Sequence, residues 1–305
     1  MNARLVPLLQ REWLQHHRAW LLLTAVPPLV MLGLLAFARL QVDVDGDNAA
    51  QEIAQLHPAA IAMLTICASA LFCFVLAWGS ALIQAPGLAR RDLSDRSIEF
   101  WLALPVGHAA ALAAPLLAHL LLFPLAALAL GALAGLALTP LSLARFAGLG
   151  EWLALPWDTV IAGASSVVLR FALGLLLASL WLAPLVLVLM AASAWLRRWG
   201  LPAVVATVAL IGSVLDKLYG NPLVWQLGAE LLSRAGQSFV SGRAGGGLRL
   251  LPRQDPTPAI QALPGWAARD AGFALQALAD PLLPGALAVA AGAFALLVLR
   301  RRRGG

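Results

Sequence analysis

Long apolar runs separated by short polar connections make up most of the chain. A helix that crosses a bilayer takes about 20 mostly apolar residues, because its backbone groups must be satisfied within the helix. Six runs approach or exceed this length: residues 20–38, 58–84, 108–138, 167–196, 201–215 and 281–299. The fifth run is the shortest and ends beside Asp216 and Lys217. The pattern therefore predicts an all-α integral membrane protein with six transmembrane helices.

The polar segments outside these runs predict the domain organisation. Residues 1–19 are expected to form an N-terminal amphipathic helix, residues 20–299 a single transmembrane domain and residues 300–305 a basic tail. A charged connection at residues 87–107 is predicted to contain a short helix between the second and third spans. A long segment at residues 219–280 separates the fifth and sixth spans, and we expect it to contain short interfacial or re-entrant helices.

The arginines predict the orientation of the spans, because positively charged connections tend to stay on the cytoplasmic side. The first connection, residues 41–57, has four acidic residues and no basic one. The N-terminal segment, the second and fourth connections and the C-terminus are instead rich in arginine: Arg4, Arg11 and Arg18; Arg90, Arg91 and Arg96; Arg197 and Arg198; Arg300 to Arg303. Both termini and the 87–107 connection are therefore predicted to be cytoplasmic, and the 219–280 segment is predicted to lie outside.

Composition excludes several classes of protein. Only 12% of the residues are charged, whereas about 25% are charged in an average soluble domain. The net charge of +6 comes from arginines that lie between apolar runs rather than along one polar face, which argues against nucleic-acid binding. Cys67 and Cys73 lie within one apolar run and indicate neither a disulfide scaffold nor a metal pair.

The first twenty residues have the pattern of a basic amphipathic helix that lies in the membrane interface. On a helix, the basic residues share one stripe and the apolar and aromatic residues share another. The residues expected at the interface are Arg4, Arg11, Glu12, Trp13, Arg18 and Trp20. The alternative is a plain cationic anchor in front of the first span.

No catalytic or metal-binding motif is apparent. Lys217 is the only lysine and follows no phosphate-binding glycine pattern, so the chain is not expected to hydrolyse nucleotides by itself. The histidines have no metal-ligand spacing, and we expect no metal site; they are His16, His17, His57, His108 and His119. His119 lies well inside the third run, where a hydrogen bond between helices is preferred over a proton relay as its interpretation.

The 87–107 connection carries a dense run of charges of both signs. Its charged residues are Arg90, Arg91, Asp92, Asp95, Arg96 and Glu99. Asp92 and Arg96 are spaced i, i+4, so a short helix would present them together. A simple anchor calls for positive charge alone, whereas mixed charges followed by Phe100 and Trp101 are typical of a surface that binds a partner protein. A solvated anchor is the alternative.

Two segments carry a family resemblance. Residues 88–106, which end in Leu104-Pro105-Val106, resemble the first cytoplasmic loop of ABC-2-type permeases. Gln10-Arg-Glu-Trp13, followed by His16-His-Arg18, resembles the amphipathic elbow helix that opens these permeases. The six predicted spans and the long segment between the last two also match the layout of the family.

The resemblance implies the transmembrane subunit of an ATP-driven exporter in the bacterial cytoplasmic membrane. This chain would hold no cofactor, and a separate cytoplasmic ATPase would bind ATP and Mg²⁺. The six charged residues of the 87–107 connection would dock that ATPase and couple its closure to the third span. Two copies are also expected, because one copy offers few small-residue seams and no aqueous polar stripe. A heterodimer with a related permease is the alternative.

Two other functions stay open at this point. One is a membrane assembly factor or regulator whose charged connection binds a different cytoplasmic protein. The other is a membrane-embedded enzyme that acts on lipid, with the 219–280 segment as its site. The sequence does not identify a substrate, although the scarcity of ionisable residues within the spans favours an amphipathic or hydrophobic cargo over an ion.

Replacing Asp95, Arg96 and Glu99 together by alanine tests the coupling role of the 87–107 connection. Membrane insertion should be unchanged, because these groups are expected to face water, whereas ATPase binding should weaken or ATP hydrolysis should continue without transport. Single substitutions should have little effect, since exposed charge pairs each contribute about 0–1 kcal/mol. Co-purification with the ATPase and ATP-driven transport measure the outcome. A triple variant that binds and transports as the parent does would reduce the connection to an anchor.

Overall fold

The computed structural model of the protein describes residues 5–37, 56–89, 107–245 and 255–303. The α-helices in these ranges are α1 (Leu5–Phe37), α2 (Pro58–Leu88), α3 (His108–Leu117), α4 (Phe123–Phe146), α5 (Gly150–Ala154), α6 (Trp157–Leu196), α7 (Gly200–Tyr219), α8 (Leu223–Gln237), α9 (Thr257–Gln276) and α10 (Leu282–Arg302). A π-helix, Ala118–Leu122, joins α3 to α4, and 3₁₀ turns follow α6 and α9. All regular structure in the described ranges is helical, which confirms the predicted all-α class.

Five helical stretches of the described chain are long and apolar enough to cross a membrane. They are Val6–Phe37, Pro58–Leu88, His108–Phe146, Trp157–Tyr219 and Leu282–Arg302. Many large apolar side chains on these stretches are exposed on the protein surface, as expected where lipid replaces water. The multi-pass membrane character predicted from the sequence is therefore supported, and the number of spans depends on the stretch Trp157–Tyr219.

The stretch Trp157–Tyr219 contains a sharp turn between α6 and α7. Arg197 has a positive φ of 54°, which breaks the helix. A Cβ on Gly200 would lie 2.5 Å from the Cα of Ser193, so only glycine permits the chain to pass this close to α6. Helix α7 packs against α6 and includes the predicted fifth span, residues 201–215. A sixth crossing by α7 stays a prediction.

The N-terminal segment does not form a separate helix in the described residues. Helix α1 continues from Leu5 to Phe37 through the predicted boundary between residues 19 and 20. Its protein-facing stripe repeats every four residues, with Leu8, Glu12, Trp20 and Thr24 buried and His16 partly buried. This i, i+4 stripe runs from the amphipathic part into the apolar part and gives the helix one continuous contact face.

A glycine seam joins α2 to α4. A Cβ on Gly131 would lie 2.8 Å from the Ser69 carbonyl oxygen, and one on Gly135 would lie 2.7 Å from the Cα of Ile66. The Gly-x-x-x-Gly spacing places both glycines on one face of α4 and lets the two backbones approach closely. Thr65 donates a hydrogen bond of 3.0 Å to Ser142 across the same interface. The sequence predicted few helix interfaces built on small residues, whereas the described structure contains this one between α2 and α4.

The connections predicted on opposite sides of the membrane collect at opposite ends of the helices. At one end, Val160 at the start of α6 packs with Ile260 of α9 and Ile61 of α2. At the other end, Arg300 near the C-terminus lies over the Trp195 ring at 5.4 Å, and Leu112 of α3 packs with Leu297 of α10. The side of the membrane on which either end lies stays a prediction.

Candidate functional site

A buried ion pair joins α6 to α9. The Arg170 guanidinium lies 2.7 Å from Asp270 through Nη2, and its Nε donates a 2.9 Å hydrogen bond to the same carboxylate oxygen. Arg170 is 2% exposed and Asp270 is fully buried. Two charges removed from water need this kind of paired, hydrogen-bonded geometry, because the desolvation of an isolated ion costs several kcal/mol.

The chain that follows α8 completes this ion-pair site. Arg170 Nη1 donates a 2.7 Å hydrogen bond to the Ser238 carbonyl oxygen. The Ser241 backbone N–H donates to Asp270 at 3.1 Å, and the Ser241 hydroxyl donates to the same carboxylate. Residues 238–241 are therefore held between α6 and α9 by both members of the pair.

An aromatic cluster lies on the inner side of residues 238–241. Phe239 contacts the rings of Phe74, Trp78 and Phe171 at centroid distances of 5.6, 5.1 and 5.8 Å. Gly174 permits this approach, since its Cβ would lie 2.9 Å from the Phe239 Cα. The ion pair thus holds in place a segment whose Phe239 side chain fills the space between α2 and α6.

A second ion pair fixes α8 itself. Arg234 contacts Glu230 at 2.7 Å and Asp280 at 2.6 Å, all three side chains being partly exposed. Asp280 also accepts a 2.9 Å hydrogen bond from the Leu282 N–H at the start of α10. The 219–280 segment is consequently tied to α6 at its centre and to α10 at its end.

Asp255 marks where this segment meets the start of α2. Hydrogen bonds from the Thr257 side chain and backbone N–H hold the pKa of the Asp255 carboxyl below its ordinary value, with a smaller contribution from His57. His57 caps α2 by accepting a hydrogen bond from the Ala59 N–H. Residues before α2 and before α9 therefore lie at the same end of the protein.

A third cluster of polar side chains joins α1 to the π-helix. Donor atoms of Glu12, His16 and His119 all lie within 4.8 Å of one another. Glu12 and His119 are each 1% exposed, and the closest contact between them is 3.5 Å, from Oε2 to Nε2. The His119 ring meets the rings of His16 and Trp20 edge-on, at 4.8 and 5.2 Å between centroids.

The π-helix places His119 against α1. Pro124 in α4 has no backbone N–H, and its ring would clash with the carbonyl of residue 120 in a regular α-helix. The widened turn Ala118–Leu122 lies just before this proline, and His119 is buried within it. Trp20 then stacks on Phe123 at 4.7 Å and closes one side of the cluster.

An apolar groove of about 180 Å³ lies between α2, the π-helix and α6. Its walls are mostly leucine, with Trp78 and Ser179 as the polar exceptions; the lining residues are Trp78, Leu82, Leu116, Leu117, Leu120, Leu121, Ser179, Leu182, Ala183, Val186 and Leu187. Trp78 Nε1 and Ser179 Oγ are buried and make no hydrogen bond with the described residues. The groove therefore offers an almost entirely apolar wall, and these two polar atoms lie buried behind it.

The residues predicted to dock an ATPase lie outside the described part of the chain: Arg90, Arg91, Asp92, Asp95, Arg96 and Glu99. Arg4 lies outside it as well. Of the other predicted interface residues, Trp13 and Arg18 are exposed and Arg11 is partly buried. Glu12 and Trp20 point into the protein. The N-terminal helix therefore combines a membrane-facing side with a polar stripe that contacts α3 and the π-helix.

No protein-family model, curated protein or solved structure matches the chain. The class that the described structure itself defines is a multi-pass helical membrane protein. The likeness to ABC-2-type permeases rests on the sequence segments alone.

Replacing Asp270 by asparagine should destabilise the protein by about 3–5 kcal/mol, because the buried Arg170 charge then has no counter-charge. Exchange of both partners, Arg170→Met with Asp270→Leu, should recover much of this loss. Arg269→Gln is the matched control, since Arg269 is the exposed neighbour of Asp270. Thermal unfolding of the purified protein in lipid nanodiscs measures all three. Equal melting temperatures for Asp270→Asn and Arg269→Gln would contradict a structural role for the pair.

Proposed function

We propose that this protein is the transmembrane subunit of an ATP-driven exporter, working as a pair of copies with a separate cytoplasmic ATPase. The observation that carries the structural side of this proposal is the groove beside α2, the π-helix and α6. A groove with leucine walls suits the apolar part of an amphipathic molecule that enters from the bilayer.

The described polar residues support a transmembrane subunit that forms the path but does not itself drive transport. The Arg170–Asp270 pair holds the backbone of residues 238 and 241 by hydrogen bonds, which suits a structural clamp. Energy for transport would then come from outside the chain, and the mixed-charge 87–107 connection is the segment suited to receive it.

The arrangement of the ends supports the same proposal. Helix α2 ends and helix α3 begins at the end of the protein that carries Arg300 and Trp195. A push on the connection between them would reach α3, the π-helix and the groove wall directly, because both the span and the groove contain Leu116, Leu117, Leu120 and Leu121. We propose that closure of the ATPase pair changes the width of the groove in this way.

Filling the groove tests the proposed path. Ala183→Trp places a bulky ring among the lining residues, whereas Leu122→Trp adds the same ring at an exposed position of the neighbouring π-helix. Inside-out membrane vesicles with the ATPase partner and a fluorescent probe that carries an alkyl chain and a hydroxyl headgroup provide the assay. ATP-dependent uptake of the probe should fall to the level without ATP for Ala183→Trp and persist for Leu122→Trp.

Two outcomes would contradict the proposal, provided that both variants reach the membrane at parental levels. Uptake at the parental rate by Ala183→Trp would remove the groove from the path. The absence of ATP-dependent uptake of amphipathic probes by the parent protein would contradict export of this class of cargo.

A further inference from the structure

The strongest unassigned chemistry in the described residues is the cluster of Glu12, His16 and His119. Glu12 and His16 are spaced i, i+4 on α1, so their side chains leave the same face of the helix. His119 approaches that face from the π-helix, and the donor atoms of the three residues lie within 4.8 Å of one another. Two imidazoles and a carboxylate are thus brought together from two helices.

This donor set fits a particular kind of cation. Imidazole nitrogen with carboxylate oxygen suits zinc and its neighbours in the first transition series, whereas magnesium and calcium prefer sites made of oxygen alone. Zinc bound by three protein ligands keeps a fourth position for water. Bond lengths of about 2.0–2.2 Å place the ligand atoms of a tetrahedral ion roughly 3.4 Å apart, so a small rotation of the side chains closes the observed cluster.

The surroundings of the cluster favour a bound ion over a simple hydrogen bond. His119 Nε2 is buried, faces Glu12 Oε2 at 3.5 Å and makes no hydrogen bond with the described residues. A charge-assisted hydrogen bond would be about 2.7–2.9 Å long. The rings of Trp20 and Phe123 stack beside the cluster and limit access of water, and π-helical turns often occur at functional sites.

We propose that Glu12, His16 and His119 bind one transition-metal cation of the zinc class. The ion fixes the N-terminal part of α1 to the π-helix. The proposal does not depend on export, because it concerns only the geometry of this chain.

The test uses the full chain, purified without a histidine tag, stripped with a chelator and placed in lipid nanodiscs. Isothermal titration calorimetry with ZnCl₂ should give one ion per chain. Excess MgCl₂ or CaCl₂ should not compete with zinc for the site. His119→Gln, His16→Gln and Glu12→Gln should each weaken binding by at least about tenfold, the loss typical even of outer-shell changes. His17→Gln is the matched control, since His17 neighbours the cluster in sequence and bonds the Leu14 carbonyl instead.

A spectroscopic measurement on the parent protein keeps the test independent of variant folding. Zinc X-ray absorption should show a first shell of nitrogen and oxygen with the scattering pattern of two imidazoles. The proposal is overturned if the parent protein binds no zinc. It is also overturned if the absorption spectrum shows no imidazole, or if the three variants bind as tightly as His17→Gln, which would indicate adventitious surface binding.

Discussion

The Arg170–Asp270 ion pair is the constraint that holds α9 and residues 238–241 against α6. Helix α6 is 40 residues long, which corresponds to about 60 Å at 1.5 Å per residue, twice the roughly 30 Å of a hydrocarbon core. Part of α6 must therefore project beyond the membrane, and Arg170 lies 14th in this helix. By pairing with Asp270 it anchors α9 on α6, and residues 238–241 are held between the two helices. Phe239 then seals the aromatic cluster between α2 and α6.

Apolar periodicity and length predict the helical class because lipid imposes that rule on every residue of a span. The same reasoning locates α2 and α10 to within a few residues. It also locates the α3–α4 stretch and α6, each of which extends beyond the predicted span at one end. It misses the continuity of α1 because amphipathic and apolar patterns are both helical, and nothing in residues 19 and 20 breaks a helix. It places α8 and α9 inside the 219–280 segment, close to the predicted short helices, but does not predict what they contact.

The buried polar clusters could not be predicted for a different reason. Arg170 and Asp270 are 100 positions apart. A pairing over that separation produces no periodic pattern in the sequence. Arg170 could instead be counted as a loop charge, because it lies close to the predicted start of a span. Half of the third cluster did leave a signal, since Glu12 and His16 have the i, i+4 spacing of ligands on one helix face. Its other half, His119, lies in a π-helix, and helical periodicity does not predict such a turn.

The proposed exporter role draws on the described structure and on the sequence for different parts of the account. The structure provides a membrane body with a clamped segment at one end, an apolar groove in its middle and arginine-rich helix ends at the other. The sequence provides a mixed-charge connection between α2 and α3, at that arginine-rich end. In the proposed exporter, an external ATPase acts on this connection.

Native mass spectrometry of the complex, purified from its own membrane in lipid nanodiscs, tests this account most directly. The account predicts a particle with two copies of this chain and two copies of a P-loop ATPase, and it predicts that the triple-alanine change at residues 95, 96 and 99 removes the ATPase but keeps the pair. A particle that contains one copy of the chain, or that transports without any ATPase, would contradict it.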